Sequence, residues 1–89
     1  MQHLSIHVSG TVQGVFFRAS AKQVADQLGI TGFVRNEPDG SVYIEAEGSN
    51  DQLKSFMDWC RKGPPRSTVT ELVTKEAPVK NFVGFEVRR

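Results

Sequence analysis

The sequence predicts an α+β domain in which two helices pack on one face of a mostly antiparallel sheet. Several short stretches alternate apolar and polar residues, which is the period of a half-buried strand. Two other stretches repeat apolar residues at helical spacing. Turns rich in glycine, proline or asparagine separate these stretches, and no linker or internal repeat divides the 89 residues. We therefore expect residues 1–89 to form a single domain.

The first half of the chain predicts a strand, a helix and a hairpin. Apolar and polar residues alternate over 3–9, which predicts the first strand. Helical spacing of apolar residues then predicts a helix over about 18–28. Residues 31–36 and 42–47 have strand character, and the Glu-Pro-Asp-Gly sequence at 37–40 is a reversing turn. The second and third strands should therefore pair as a hairpin.

The second half predicts one more helix and two more strands. An apolar stripe with i, i+3, i+4, i+7 spacing defines the helix, and its members are Leu53, Phe56, Met57 and Cys60. Residues 48–50 offer an N-cap, and Gly63-Pro64-Pro65 ends the helix. Residues 68–74 predict a fourth strand, 77–81 a loop and 82–87 a short last strand. The order is the β-α-β-β-α-β arrangement of ferredoxin-like domains with an extra C-terminal strand.

Composition narrows the classes of function. Eleven basic residues against ten acidic ones leave a formal net charge of +1, whereas nucleic-acid-binding domains usually carry a clear basic excess. The single cysteine, Cys60, excludes an intrachain disulfide and fits a reducing compartment. The N-terminus lacks a signal-peptide pattern, and no apolar run reaches membrane-spanning length. We expect a cytoplasmic monomer with no nucleic-acid or membrane partner.

A glycine-containing loop, residues 10–18, joins the first strand to the first helix and ends in Arg18. Glycine lets a backbone approach a phosphate closely, and a helix that begins beside the loop adds its positive end. The Arg18 guanidinium is a planar, permanently charged fork that suits a tetrahedral oxyanion. The loop thus has the makings of an anion-binding cradle, although on composition alone a tight strand-to-helix connection accounts for it equally well.

The predicted topology brings a second polar residue to the same place. In a 4-1-3-2 sheet the first and second strands are parallel, with the third between them. Their carboxyl ends then lie at one edge of the sheet, ~10 Å apart at ~4.8 Å per strand. Asn36 ends the second strand, so we expect it to share a rim with Arg18. By itself, Asn36 before a proline-glycine turn could also be a turn former.

Together these two segments resemble the two signatures of the acylphosphatase family. The first is Gly10-x-Val12-Gln13-Gly14-Val15-x-Phe17-Arg18, and the second is Gly32-Phe33-Val34-Arg35-Asn36-x-x-Asp39-Gly40-Ser41-Val42. The spacing between them matches, and the resemblance covers the whole chain. Two departures are visible: Phe33 stands where the family more often has tryptophan, and Tyr43 where glutamate is common. We expect neither to affect the chemistry, because Phe33 should serve packing and Tyr43 should face outward.

The resemblance implies hydrolysis of an acyl phosphate to a carboxylate and inorganic phosphate, without a metal, a cofactor or a covalent intermediate. It assigns phosphate binding to Arg18 and the positioning of the attacking water to Asn36. It assigns the rest of the cradle to backbone N–H groups, those of Gln13, Gly14, Val15, Phe16, Phe17 and Arg18. The partner would be a small-molecule acyl phosphate, with inorganic phosphate as product and weak inhibitor. Selectivity for the acyl part should be modest.

Other reactive residue types have plainer roles. His3 and His7 are four residues apart on one strand, a span of ~13 Å, so they cannot share a metal ion and should be surface histidines. Cys60 lies on an apolar stripe and should be a buried, inert thiol. Ser20 has no paired histidine or acid nearby in sequence. Arg35 should point away from Asn36 and be solvated.

Two other classes of function compete with the enzyme. Ferredoxin-like domains can bind RNA on an open sheet face, but one tyrosine among glutamates on the third strand is a poor stacking platform. A non-catalytic domain that binds phosphate or carbamoyl groups is the stronger rival. Turnover separates the two, since a binder would need Arg18 but be indifferent to Asn36.

Overall fold

The computed structural model describes all residues, 1–89, and contains the predicted elements in the predicted order. They are β1 (Gln2–Thr11), α1 (Phe17–Leu28), β2 (Thr31–Asn36), β3 (Val42–Gly48), α2 (Asn50–Lys62), β4 (Thr68–Ala77) and β5 (Phe85–Arg88). The fourth strand continues three residues past the predicted end at 74, and the last strand begins at Phe85 instead of residue 82. The ferredoxin-like architecture with an additional C-terminal strand is confirmed.

The five strands form one sheet in the order β4-β1-β3-β2-β5. β3 is antiparallel to both β1 and β2, so β1 and β2 are parallel to each other with β3 between them, as predicted. β5 adds to the outer edge of β2 in parallel. The carboxyl ends of β1, β2 and β5 therefore lie on the same side of the sheet, beside the start of α1.

The helices bury the main apolar core against one face of the sheet. α1 ends at Gly29 in the left-handed conformation, and Ile30 N–H donates to Ala25 O at 2.9 Å. α2 begins with a capping box in which Ser49 and Gln52 satisfy each other's backbone N–H groups. Cys60 is fully buried in this core, and burial raises the pKa of its thiol, as expected for an inert residue. Neither helix combines the length and apolarity needed to cross a bilayer.

The opposite face of the sheet is covered in part by the segment that connects β4 to β5. Glu47, which is 1% exposed, accepts hydrogen bonds from the backbone N–H groups of Lys80 and Phe82. The Lys80 ammonium lies 3.1 Å from a carboxylate oxygen of Glu45. The Phe82 ring packs against Phe33 with 5.8 Å between centroids. This segment therefore ties the C-terminal strand to β3.

His3 contradicts the prediction of a surface histidine. It is 2% exposed, with Nδ1 2.7 Å from Glu47 Oε2 and Nε2 2.9 Å from Glu45 Oε1. Alternation along β1 correctly directs His3 away from the helices. Alternation could not reveal that Phe82 packs over the ring, with 5.6 Å between centroids. The residue is buried because a loop far along the chain covers it.

The buried Glu47 makes stability depend on pH. Burial alone would raise the pKa of Glu47, but hydrogen bonds from His3 and from the N–H groups of Lys80 and Phe82 outweigh it, so the pKa lies below its usual value. A carboxyl with a depressed native pKa stabilises the fold above its unfolded pKa of about 4.3. This contribution is lost as the pH falls through the native pKa. We predict that the free energy of unfolding falls less steeply below about pH 4.3 in Glu47→Gln than in the wild type.

Denaturant unfolding between pH 5 and pH 3 measures this difference, a range chosen to span the unfolded pKa of about 4.3. Glu76→Gln is the matched control, because Glu76 is an exposed glutamate on β4. Parallel pH profiles for the wild type and Glu47→Gln would contradict the role given to this carboxylate.

Candidate active site

The loop between β1 and α1 turns sharply through two left-handed residues. Gly14 has φ 73°, and Phe16, immediately before the helix, has φ 64° and ψ 24°. A left-handed conformation is easy for glycine and costly for a bulky aromatic residue. The loop thus holds an unfavourable backbone conformation at Phe16 at the point where α1 begins.

The N-terminus of α1 has no partner within the protein. Phe16 occupies the N-cap position but makes no side-chain cap, and the first turn contains no acidic residue. The first helical donor to find an acceptor is Ser20, whose N–H donates to Phe16 O at 3.0 Å. The backbone N–H groups before it, from Gln13 to Ala19, donate to no protein acceptor. Unpaired donors at the positive end of a helix form an anion-binding site.

Arg18 lies in the first turn of α1 and is held by the C-terminal strand. Its Nη1 donates to the backbone carbonyl of Arg88 at 2.9 Å. This contact is exposed to solvent and favours one orientation of the guanidinium. A guanidinium has five N–H donors, so most of them stay available. β5 therefore contributes directly to the geometry of the site.

Asn36 lies at the carboxyl end of β2. Its side-chain Oδ1 is buried and accepts no hydrogen bond. Buried polar atoms are nearly always paired, so an unpaired one in a cleft indicates a position for a ligand or a water. Arg35, the preceding residue, points to the other face, where its guanidinium lies 4.8 Å from the Tyr43 ring and 3.4 Å from Glu37. Arg35 is thus directed away from Asn36 as predicted, but it is paired as well as partly solvated.

A cleft of about 300 Å³ brings these features together. Among the residues predicted for the site, those that line it are Gly14, Phe16, Phe17, Arg18 and Asn36. Gln13 and Val15, which were also assigned to the cradle, do not line it. The lining includes three residues that sequence reasoning missed, namely Val12, Ala19 and Val87. Val87 could not have been found without knowing that β5 pairs with β2.

The Gln13 side chain has a role that the sequence did not indicate. Its Nε2 donates to Glu37 O at 2.8 Å and to Ser41 O at 2.9 Å, which lie on either side of the turn between β2 and β3. The Ser41 hydroxyl in turn donates to Asp39 and lies against Nε2 of the half-exposed His7. Gln13 therefore fastens the cradle loop to the turn that follows Asn36.

The Asp39 carboxylate accepts hydrogen bonds from Ser41 within the turn between β2 and β3. Hydrogen bonds from the Ser41 hydroxyl and N–H lower the pKa of Asp39, so the carboxylate is the favoured form. No group of three or more histidine, cysteine, aspartate or glutamate side chains is arranged to hold a metal ion. The charged side chain that lines the cleft is Arg18.

Comparison with known proteins agrees with the geometry. A family model described as Acylphosphatase matches residues 4–87. An acylphosphatase of Marinobacter nauticus is 55% identical, covering 88% of this chain and 86% of its own. One of Methylococcus capsulatus is 46% identical, covering 100% and 98%. The crystal structure of acylphosphatase from Bacillus subtilis superposes with a TM-score of 0.97 at 36% identity, covering all of both chains. The chain belongs to the acylphosphatase family.

Proposed function

We propose that Arg18, Asn36 and the unpaired N–H groups of the loop carry out the hydrolysis of acyl phosphates, the reaction of this family. One observation supports the proposal above all others. The same cleft combines a row of unpaired backbone donors with a buried, unpaired acceptor on Asn36. The donors suit the oxygens of a phosphoryl group, and the acceptor suits a water molecule.

In this proposal the cradle and Arg18 bind the phosphoryl group and stabilise its transition state. Phosphoryl transfer spreads negative charge over three equatorial oxygens, and catalysis consists mainly of positioning and charge stabilisation. The N–H groups of residues 13–18 and the positive end of α1 supply fixed dipoles. Arg18 adds a full charge whose direction is set by its bond to Arg88 O. The donors are already oriented before the substrate arrives, so little reorganisation is needed.

Asn36 holds the attacking water in line with the scissile P–O bond. Its Oδ1 accepts a hydrogen bond from the water, which orients an oxygen lone pair toward phosphorus. An amide cannot act as a general base, so the proton passes to the substrate or to solvent. The leaving group is a carboxylate, a weak base that departs without a general acid. Two side chains and a backbone loop therefore suffice for the reaction.

The proposal also covers metal dependence, inhibition by phosphate, oligomeric state and cellular compartment. The positive charge needed for transfer comes from Arg18 and the loop, so we expect hydrolysis to continue in the presence of a chelator. Inorganic phosphate fits the same cradle and should inhibit weakly as the product. Residues 1–89 act as one domain and as a monomer. The free, buried Cys60 is consistent with a cytoplasmic enzyme.

We predict that Arg18→Ala lowers kcat/KM by ~10³-fold or more, the low end of the range for arginines that stabilise a transferring phosphoryl group.

We predict that Asn36→Ala lowers kcat by ~10²-fold, because the water loses its alignment. Phosphate release from a simple acyl phosphate, measured in chelator, tests both. Arg66→Ala and Asn50→Ala are matched controls, since both residues are exposed and lie outside the cleft.

Full activity of Asn36→Ala would contradict the positioned water while leaving the phosphate site intact. Absence of turnover by the wild type, together with phosphate binding that depends on Arg18, would instead support the non-catalytic binding domain.

We predict a separate, smaller effect for Gln13→Met, which keeps the length of the side chain and removes its two donors. The free energy of unfolding should fall by about 1–3 kcal/mol, because two hydrogen bonds of about 0.5–1.5 kcal/mol each are lost, while Glu37 O and Ser41 O keep the backbone N–H groups of Gly40 and Glu37 as donors. The rate constant kcat should fall by about tenfold, since a displacement of 1 Å in a site can cost ~10²-fold and the loop is only partly released. Gln23→Met, on the exposed side of α1, is the control. A kcat equal to that of the control would contradict a positioning role for Gln13.

A further inference from the structure

The Phe16 side chain is unusual among the aromatic residues of this protein. It is 71% exposed, whereas the adjacent Phe17 is 1% exposed and packs in the core. Phe16 also has a left-handed backbone, with φ 64°, which a bulky side chain rarely adopts. A strained and exposed aromatic residue gains nothing from burial that would offset its strain. Its contribution must therefore be sought in the cleft that it lines.

The cleft has two chemically different parts. Arg18, Asn36 and the loop N–H groups form a polar part that suits a phosphoryl group. The remaining side chains are apolar, namely those of Val12, Phe16, Phe17, Ala19 and Val87. Val12 and Phe17 belong to the core, but Phe16 and Val87 are 71% and 42% exposed. These two exposed side chains come from different elements, one from the loop and one from β5.

An acyl phosphate has the same two parts. When the phosphoryl group occupies the cradle, the acyl group must extend out of the cleft past its exposed apolar residues. The apolar part of the lining contains no carboxylate and no side-chain amide that could bind a charged or polar acyl group.

We propose that Phe16 and Val87 form an acyl-binding subsite that favours flat, apolar acyl groups, so that aryl acyl phosphates are preferred over small or charged ones. This inference rests on the proposed function, because it requires the phosphoryl group to occupy the cradle. Phe16 would stack on the ring of the substrate, and Val87 would contact its other side. A single exposed aromatic pair is worth at most about 1.5 kcal/mol, which corresponds to about a tenfold preference.

The test compares two substrates that share the phosphoryl group and differ in the acyl group, benzoyl phosphate and acetyl phosphate. We expect the wild type to favour benzoyl phosphate in kcat/KM. Phe16→Asn removes the ring, and asparagine tolerates the left-handed backbone of this position. The variant should reduce the benzoyl-to-acetyl ratio of kcat/KM by about tenfold. Phe16→Tyr, which keeps an aromatic ring, should retain the wild-type ratio.

Two further variants make the test specific. Val87→Ser should reduce the same ratio in the same direction, and it serves as an independent test if Phe16→Asn folds poorly. Val83→Asn should leave the ratio at the wild-type value, because Val83 is 93% exposed and lies outside the cleft.

The ratio distinguishes an acyl subsite from an effect of Phe16 on the loop backbone alone. If Phe16→Asn and Val87→Ser lowered kcat/KM for both substrates by the same factor, Phe16 would act only through the loop backbone. The proposed subsite would then be wrong. If the wild type did not distinguish the two substrates, the subsite would also be wrong, although the proposed hydrolysis would stand. Failure of the proposed function looks different, because neither substrate would be hydrolysed.

Discussion

The site depends on one constraint: the backbone N–H groups in the loop before α1 and in its first turn have no hydrogen-bond acceptor within the protein. A helix start normally receives a side-chain cap or an acidic residue, as α2 does with Ser49 and Asp51. α1 has neither, and its N-cap is a left-handed phenylalanine. The fold leaves positive dipoles uncompensated at the start of α1, and in the proposed function a phosphoryl group compensates them.

Much of the rest of the molecule holds this loop in place. Gln13 fastens it to the turn after Asn36, and Arg88 O orients the Arg18 guanidinium. β5 can reach Arg18 because it extends the sheet beside β2. The segment before β5 is fixed in turn on the opposite face, where Glu47 accepts the N–H groups of Lys80 and Phe82. A buried carboxylate on one face of the sheet thus supports the proposed anion site at the edge of the sheet.

The sequence predicted the parts of this arrangement that local patterns determine. Apolar spacing and turn residues indicated the helices, the hairpin and the strand order, and the order placed Arg18 and Asn36 at one edge. Contacts between distant segments escaped prediction. Alternation could not reveal that Phe82 covers His3, nor that β5 pairs with β2 and brings Val87 to the cleft. The hydrogen bonds of the Gln13 side chain were not predicted either, because the motif assigns a role only to the backbone N–H of this residue.

The most direct test of the central claim is a titration with inorganic phosphate, followed by the amide signals in ¹H–¹⁵N spectra. The account predicts saturable shifts that are largest for the backbone amides of residues 13–18 and for the side-chain amide of Asn36. The same titration of Arg18→Ala should show much weaker binding. Shifts concentrated elsewhere, for example along the exposed strand β4, would contradict the claim that the unpaired N–H groups of the loop bind the phosphoryl group.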